Sequence, residues 1–279
     1  MPQALEIAAR DGYRLAATLH APGAANGRAV LVHAATGVKR HYYGKFADYL
    51  AERGFTVLTF DYRGIGESRR GPLRELRARM RDWAELDAAA ALDFLARETP
   101  GAALFCVGHS FGANELGLVP GIERYRGAVF VGAQSGYWRH WPGLARGGMW
   151  LLTHVLLPSV SALLGYFPMQ ALGMGEDLPG GVAREWASWC RHPRYAAGAV
   201  GADGYARLAA PVRSYWASDD RYAPRAAAEA LLDLYPNARP KELVALDARA
   251  HGGIGHFGFF RERFRNTLWR DAAEWLERL

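Results

Sequence analysis

The stretch ALFCVGHSFGANELGLV, residues 103–119, decides the fold prediction. Its first six residues form a short continuous apolar run, which is typical of a strand buried on both faces. The segment ANELGLV (113–119) has a helical pattern, and Gly108-His109-Ser110-Phe111-Gly112 lies between the two. A strand, a sharp turn and a helix in this order place one serine side chain at the end of a buried strand.

This pentapeptide has the residue types that a serine nucleophile needs. A serine hydroxyl is a weak nucleophile, and it must stand exposed at a sharp turn with a base within hydrogen-bond reach. Gly108 and Gly112 carry no β-carbon, so the chain can make the turn and its neighbours can approach closely. The pentapeptide alone occurs by chance in many proteins. The prediction that Ser110 is the nucleophile therefore depends on its strand-turn-helix context.

Similar strands separated by helical patterns occur on both sides of this stretch. The helical patterns include 43–53 and 83–97, and the strands are RAVLVHAA (28–35), FTVLTFDYRG (55–64), GAVFVGA (127–133), PVRSYWAS (211–218) and ELVALD (242–247). Continuous apolar strands between helices favour a mostly parallel sheet covered by helices on both faces. The sequence therefore predicts the α/β class. A hairpin turning at Asp11-Gly12 is predicted to precede it.

A base and an acid must then be found for Ser110, and the expected chain order is serine, acid, histidine. Asp220 follows the strand 211–218 and precedes a helix, so we predict it as the acid, with Asp219 as the alternative. His256 lies in a glycine-flanked loop after the last strand and is the predicted base. His251, in the same loop, is the alternative.

Residues 135–209 interrupt the alternating pattern. They contain no clear strand but several tryptophans and prolines, so we predict a helical lid inserted between core segments 1–134 and 210–279. The tryptophans are compatible both with an apolar pocket for an acyl chain and with simple packing of the lid on the core.

The apolar run 148–167 has nearly the length of a membrane span. His154 and Pro158 favour a pair of short buried helices broken at the proline, with no transmembrane segment. A lid element that touches a membrane surface is the alternative.

The amino-acid composition limits which classes of protein and partner remain possible. With 279 residues, half of them hydrophobic, the chain can bury a substantial core. The net charge of +6 comes mostly from arginines, which cluster at 68–82; without interleaved aromatic residues this indicates a solvated surface and no nucleic-acid partner. Two cysteines and an N-terminus without a signal pattern predict a cytoplasmic protein. No motif for a metal or cofactor is present, and the oligomeric state stays open.

Together the motifs resemble the α/β-hydrolase superfamily, in particular its serine-aminopeptidase-like and monoacylglycerol-lipase-like hydrolases. The resemblance covers most of the chain and is carried by DGYRLAATLHAP (11–22), FADYLAERGFTVLTFDYRGIGES (46–68), GHSFG (108–112), SDDRYAP (218–224) and IGHFGFFR (254–261). It implies a serine hydrolase that cleaves a carboxylic ester, or a related acyl bond, of a small hydrophobic substrate through an acyl-enzyme. An acyltransferase or peptidase with the same triad, and a non-catalytic binder, are the alternatives.

The resemblance also implies an oxyanion hole. The first donor is the backbone N–H of Phe111, the residue after the nucleophile. The family usually has His-Gly after the third strand, whereas this chain has His33-Ala34-Ala35-Thr36-Gly37. Ala35 is the predicted second donor and Thr36 the alternative, while His33 is expected to be a packing residue at the strand end.

Overall fold

The computed structural model describes residues 2–279. An eight-stranded sheet forms its centre, with the strands in the order β1-β2-β4-β3-β5-β6-β9-β10. A separate two-stranded pair is formed by β7 and β8. The strands are β1 Gln3–Ala8, β2 Arg14–His20, β3 Arg28–His33, β4 Thr56–Phe60, β5 Ala103–His109, β6 Tyr125–Val131, β7 Tyr166–Phe167, β8 Leu178–Pro179, β9 Val212–Ala217 and β10 Lys241–Leu246.

The sheet is mostly parallel, which confirms the predicted fold class. Strands β1 and β2 form the predicted antiparallel hairpin, and β2 also pairs antiparallel with β4. All other neighbours in the eight-stranded sheet run parallel. The carboxyl ends of β3, β5, β6, β9 and β10 therefore meet at one edge, where loops of an α/β sheet bind ligands.

Helices connect and cover these strands. They are α1 Gly44–Glu52, α2 Met80–Asp82, α3 Ala89–Glu98, α4 Phe111–Asn114, α5 Gly143–Leu151, α6 Leu157–Leu164, α7 Gly180–Arg191, α8 Tyr195–Ala199, α9 Arg225–Asp233 and α10 Arg270–Glu277. Segments with π-helical bonding precede α3, α6 and α10, at Trp83–Ala88, Leu152–Leu156 and Arg265–Trp269. The residues of β5 beyond its first are buried, as its apolar sequence predicts for a central strand.

The chain between β6 and β9 adds no strand to the eight-stranded sheet and forms α5 to α8 with the small β7–β8 pair. This is the segment predicted as an insertion. Its action as a lid remains a prediction.

The prediction of short buried helices broken at Pro158 is wrong. Helix α5, a π-helical turn and α6 form one continuous helical stretch, Gly143–Leu164. Proline interrupts an α-helix because it has no N–H to bond the carbonyl one turn earlier. Here Pro158 follows the π-helical turn, and Arg191 Nη1 donates to the Thr153 carbonyl at 2.9 Å, so a carbonyl in that turn is satisfied from outside the helix.

By length and composition this stretch could cross a membrane, although only 17% of its most apolar window is buried against the rest of the molecule. It is the one such helix among residues 2–279. The structure therefore contradicts both the predicted burial of this run and the predicted break at Pro158.

The turn after β4, which carries part of the family resemblance, has a structural role. Asp61 is fully buried and accepts bonds from the N–H of Arg40 at 2.6 Å and from its guanidinium at 2.5 Å. A β-carbon on Gly66 would stand 2.5 Å from the Asp61 carboxylate, so glycine is required there. Ser68 Oγ donates to the Asp61 carbonyl and closes the turn.

Candidate active site

Ser110 occupies a strained turn at the carboxyl end of β5. Its φ of 52° and ψ of −112° lie in a region that residues other than glycine rarely adopt. The flanking glycines explain how this turn is accommodated. A β-carbon on Gly112 would stand 2.1 Å from the His33 carbonyl oxygen, and one on Gly108 would stand 2.8 Å from the backbone of Ala113. The sequence therefore folds locally as its strand-turn-helix pattern predicts.

Gln134, which follows β6, contacts the Ser110 hydroxyl and was not identified from the sequence. The two side chains lie at hydrogen-bond distance, 3.3 Å from the amide nitrogen to Oγ and 3.4 Å from Oγ to the amide oxygen. In this structure the hydroxyl therefore pairs with Gln134 and not with His256. The only sequence signal for Gln134 is its position just beyond a predicted central strand.

The predicted acid and base lie together. His256 Nδ1 stands 2.8 Å from Asp220 Oδ2, and both residues are 7% exposed. The other carboxylate oxygen accepts the N–H groups of Tyr222 at 2.8 Å and Ala223 at 3.0 Å. An ionised carboxylate only accepts, so Nδ1 carries the proton of the imidazole. The Nε2 of His256 is then left with the lone pair that a general base uses.

The two alternatives from the sequence occupy other positions. Asp219 accepts the N–H groups of Ile254 at 2.9 Å and Gly255 at 2.8 Å, and so it shapes the loop that carries His256. The ring of His251 packs edge-on against Phe264, with the centroids 6.1 Å apart. Neither residue takes part in the carboxylate-imidazole pair.

The predicted second oxyanion donor needs correction. The N–H of Ala35 donates to the hydroxyl of Tyr43 at 2.9 Å, so it is already used within the core. Thr36, the alternative, lines the same cavity as Ser110 and Phe111. Phe111 is the first residue of α4, where N–H groups have no partner inside the helix.

His33 is a buried packing residue, as expected. It has no exposed surface; Nδ1 lies 2.7 Å from Glu115 Oε1 and Nε2 lies 2.9 Å from the Tyr125 hydroxyl. Burial lowers the pKa of His33 to about 3, so the ring is neutral at physiological pH. Burial also raises the pKa of Glu115 well above its usual value.

A buried chain of hydrogen bonds joins three loops of the site. The Tyr43 hydroxyl, which accepts from Ala35, lies 2.9 Å from His109 Nδ1, and His109 Nε2 lies 3.0 Å from the carbonyl oxygen of His256. A carbonyl can only accept, so His109 carries its proton on Nε2 and accepts from Tyr43 on Nδ1. Burial, and then the neighbouring imidazole of His256, hold the pKa of His109 well below its usual value. The neutral ring next to Ser110 thus connects the loop that carries His256 to the loop after β3.

A cavity of about 90 Å³ opens at Ser110. Apart from Ser110 and Phe111, its walls are mostly aromatic, aliphatic and sulfur-bearing side chains: Thr36, Asn114, Gln134, Gly136, Trp141, Met149, Leu152, Met174, Trp186, Cys190, Tyr195 and Tyr222. Among residues 2–279, no Asp or Glu lines this cavity. A wider cleft of about 600 Å³ shares Met174 with this cavity and extends past Lys39, Tyr42 and Phe257.

Two of the tryptophans that the sequence left open line this cavity, namely Trp141 and Trp186, whereas Trp189 is fully buried in the core. Trp141 and Trp186 thus form apolar walls next to Ser110 and Trp189 packs in the core, while a pocket for an acyl chain stays a prediction. Among residues 2–279 no group of three or more His, Cys, Asp or Glu side chains is arranged to hold a metal ion.

The sheet order and the turn at Ser110 define an α/β-hydrolase. A family model described as "Serine aminopeptidase, S33" matches residues 24–164, half of the chain, and the chain belongs to this family of hydrolases. No curated protein matches the sequence significantly.

Solved structures with the same fold include several esterases. The esterase domain of a Rhodothermus marinus protein is 18% identical with a TM-score of 0.63, and the match covers 100% of this chain and 98% of that one. The esterase from Exiguobacterium antarcticum is 15% identical with a TM-score of 0.65, covering 99% and 100%. DcsB, solved with its substrate analogue, is 16% identical with a TM-score of 0.73, covering 100% and 99%. At such identities the likeness establishes the fold alone.

Proposed function

We propose that this hydrolase is a serine esterase in which Ser110 is the nucleophile, His256 the general base and Asp220 the residue that orients the imidazole. One observation carries the proposal. Ser110 stands in a strained turn at the edge of the sheet where the Asp220–His256 pair also lies. The ring of His109, adjacent to Ser110 in the chain, is 5.1 Å from that of His256 between centroids.

The reaction begins when the Ser110 hydroxyl turns from Gln134 toward His256, a rotation about one side-chain bond. Hydrogen bonds between catalytic groups are often long or misaligned before substrate binds. His256 Nε2 takes the hydroxyl proton as Oγ attacks the ester carbonyl, and the N–H groups of Phe111 and Thr36 stabilise the oxyanion. The imidazolium then protonates the leaving alcohol.

Water completes the cycle. It attacks the acyl-enzyme while His256 accepts its proton, and the acid product leaves as Ser110 regains a proton from the imidazolium. Asp220 keeps its negative charge throughout and holds the tautomer with the proton on Nδ1.

The cavity walls favour an ester with an uncharged acyl group. An aminopeptidase must hold the positively charged α-amino group of its substrate, and a carboxylate is the group that normally does so. No Asp or Glu among residues 2–279 lines the cavity at Ser110. Glu176, which lines the wider cleft, is already paired with Lys39 at 2.9 Å and accepts the N–H of Gly66 at 2.8 Å. A volume of about 90 Å³ also falls below the ~300–1,000 Å³ of pockets for larger ligands. A short acyl chain therefore fits this cavity, and a larger alcohol portion fits the wider cleft beyond Met174.

A panel of p-nitrophenyl esters of increasing acyl length, compared with aminoacyl p-nitroanilides, tests this proposal. We expect hydrolysis of short esters, with kcat lowered at least about 10⁴-fold in Ser110→Ala. Ser135→Ala, at a buried serine on the loop after β6, is the matched control and should retain activity.

A fluorophosphonate probe separates the remaining alternatives. It should label the wild type and not Ser110→Ala. Faster cleavage of the anilides would establish a peptidase, and ester products formed with added alcohols in preference to acid would establish an acyltransferase. A folded wild type that neither reacts with the probe nor cleaves any substrate would refute the enzyme assignment in favour of a binder.

A further inference from the structure

The helical stretch Gly143–Leu164 differs from an ordinary surface helix because most of its apolar side chains are exposed. A surface helix normally turns its apolar stripe inward and its polar residues outward. Here Thr153, Leu157 and Ser161, spaced by four residues, are fully buried and face the molecule. Ser161 Oγ is buried without a hydrogen-bond partner among residues 2–279. Two of the three fully buried positions are thus polar, and the apolar side chains beside them, Met149, Leu152 and Val160, are only partly buried.

The outward face of the same stretch is apolar. Leu144 is 97% exposed and Leu163 is 85% exposed, which are large fractions for leucine. Trp150, Leu151, Val155, Leu156 and Leu164 are between 38% and 45% exposed. The 20 residues from Leu144 to Leu163 span about 28 Å in a helix. We call this surface, from Leu144 to Leu164, the apolar face.

A cationic cleft adjoins the C-terminal end of the apolar face. Ser161, Ala162 and Gly165 line it on the helix side. Its other walls include the exposed side chains of Arg74, Arg77, Arg79 and Arg184, with Asp82 as the one acid. The cleft has a volume of about 620 Å³.

The arginines of the cleft are only partly neutralised. Arg79 is paired with Asp82 at 2.9 Å. Arg74 lies 3.8 Å from Glu75 with both side chains about two-thirds exposed, so solvent screens that pair. Arg184 donates to the Ser161 carbonyl at 3.3 Å, which leaves its charge uncompensated. The cleft therefore presents positive charge next to the apolar face.

We propose that the apolar face and the cationic cleft dock this protein onto a lipid surface that carries negatively charged headgroups. The exposed leucines enter the boundary between headgroups and acyl chains, and the arginines of the cleft bind headgroup phosphates. The stretch lies in the plane of the surface, because its buried stripe packs against α7 and both of its ends continue into the same folded molecule.

The charge distribution favours a lipid surface over a second copy of the chain. Residues 135–175 contain no Asp or Glu and include Arg139 and Arg146 near the N-terminal end of the apolar face. A two-fold contact between two apolar faces would bring positively charged regions together without an acidic patch to receive them. A layer of lipid phosphates supplies the missing negative charge along the whole face.

Sedimentation with vesicles tests the proposal, using the full chain with Ser110→Ala so that the lipid is not hydrolysed. The vesicles contain phosphatidylcholine with or without phosphatidylglycerol, at physiological ionic strength. We expect the protein to pellet with the anionic vesicles. Replacing Leu144 and Leu163 with serine should weaken partitioning about 100-fold, since each exposed leucine contributes about tenfold.

Charge variants complete the design. The triple change Arg74→Gln, Arg77→Gln and Arg184→Gln should also weaken binding about 100-fold, at about tenfold or less for each arginine. The control variant loses the same charge at exposed positions outside the cleft and carries Arg97→Gln, Arg126→Gln and Arg278→Gln. It should bind the vesicles like the parent protein. In the background with Ser110 restored, every variant should still hydrolyse a soluble short ester, which shows that it is folded.

Several results would overturn the proposal. Protein that stays in solution with anionic vesicles excludes docking. If the control triple variant loses as much vesicle binding as the cleft variant, net charge alone explains the binding. If the leucine variant binds like the parent and inorganic phosphate displaces the protein from the vesicles, the cleft is a site for free anions. A dimer in analytical ultracentrifugation that the leucine changes dissociate, together with no vesicle binding, assigns the apolar face to a second copy.

Discussion

Replacing Tyr43 with phenylalanine tests whether the buried chain of hydrogen bonds through His109 holds the site together. The hydroxyl accepts from the N–H of Ala35 and donates to Nδ1 of His109, each at 2.9 Å. Tyr43 has no exposed surface, so no water replaces the lost partner. Each buried polar group left without a partner costs about 1–3 kcal/mol. Two such groups give a loss of about 4 kcal/mol in the free energy of unfolding.

The matched control is Tyr205→Phe, because Tyr205 is equally buried and makes one bond, to the Asn114 carbonyl at 2.8 Å. Its removal leaves a single acceptor without a partner and, at the same cost per group, should lower the free energy of unfolding by about 2 kcal/mol. Urea unfolding followed by tryptophan fluorescence measures both values, and with a slope of about 3 kcal/mol per molar urea the Tyr43 midpoint falls by about 1.3 M. Ester hydrolysis should fall as well for Tyr43→Phe, since the loop after β3 loses its anchor. Equal destabilisation by the two changes would show that the Tyr43 hydroxyl does not satisfy two buried partners.

Three further predictions concern acid stability, the acid of the proposed triad and the cavity. Below pH 6.5 the unfolded chain protonates His33 while the folded chain holds its pKa at about 3, so the contribution of His33 to the free energy of unfolding is complete above pH 6.5 and falls by about 2 kcal/mol on going to pH 5. The buried His109, whose pKa is also lowered, adds a loss of the same sign. His33→Gln should therefore reduce the pH dependence in urea titrations without abolishing it, and an unchanged slope would contradict the prediction. Asp220→Asn should lower kcat about 10⁴-fold through the wrong imidazole tautomer. Asp219→Asn, which affects only the loop that carries His256, should cost far less, and similar losses would contradict the distinct role of Asp220. Leu152→Ala enlarges the cavity at Ser110, so the acyl chain that is hydrolysed fastest in the ester panel should lengthen by about three carbon atoms. Leu156→Ala, on the apolar face, should leave the preferred chain length unchanged.

The sequence predicted the parts of the molecule that local chemistry determines. The order of apolar strands and helical patterns gave the parallel sheet, because strands of that composition must be covered on both faces. Gly108 and Gly112 identified the turn at Ser110, since any side chain there collides with the backbone of neighbouring elements. Asp220 and His256 were located by the rule that loops after parallel strands share one edge of the sheet.

The sequence did not predict features that depend on contacts between distant segments. Nothing local distinguishes the N–H of Ala35 from that of Thr36 as an oxyanion donor. The difference arises because the Tyr43 hydroxyl, eight positions away, occupies the Ala35 N–H. Gln134 was missed for a similar reason: a glutamine after a strand has no motif, and only the folded sheet brings it to the Ser110 hydroxyl. Tertiary packing decides which polar groups contact the atoms of the candidate site.

The failure at residues 148–167 has a physical cause that also supports the lipid-docking proposal. Periodicity identifies a buried face by the contrast between apolar and polar positions. In this run leucine and valine surround the helix, so the contrast is lost, and burial of the most apolar segment is the natural expectation. The remaining signal is the spacing of four that joins Thr153 to Leu157 and Ser161, and two of these are small polar residues. Small residues allow close helix packing, so this narrow stripe packs inward. Met149, Leu152 and Val160 are half-buried beside it, and the other large apolar side chains of the stretch stay exposed. A helix built in this way leaves its hydrophobic surface without a partner inside the molecule.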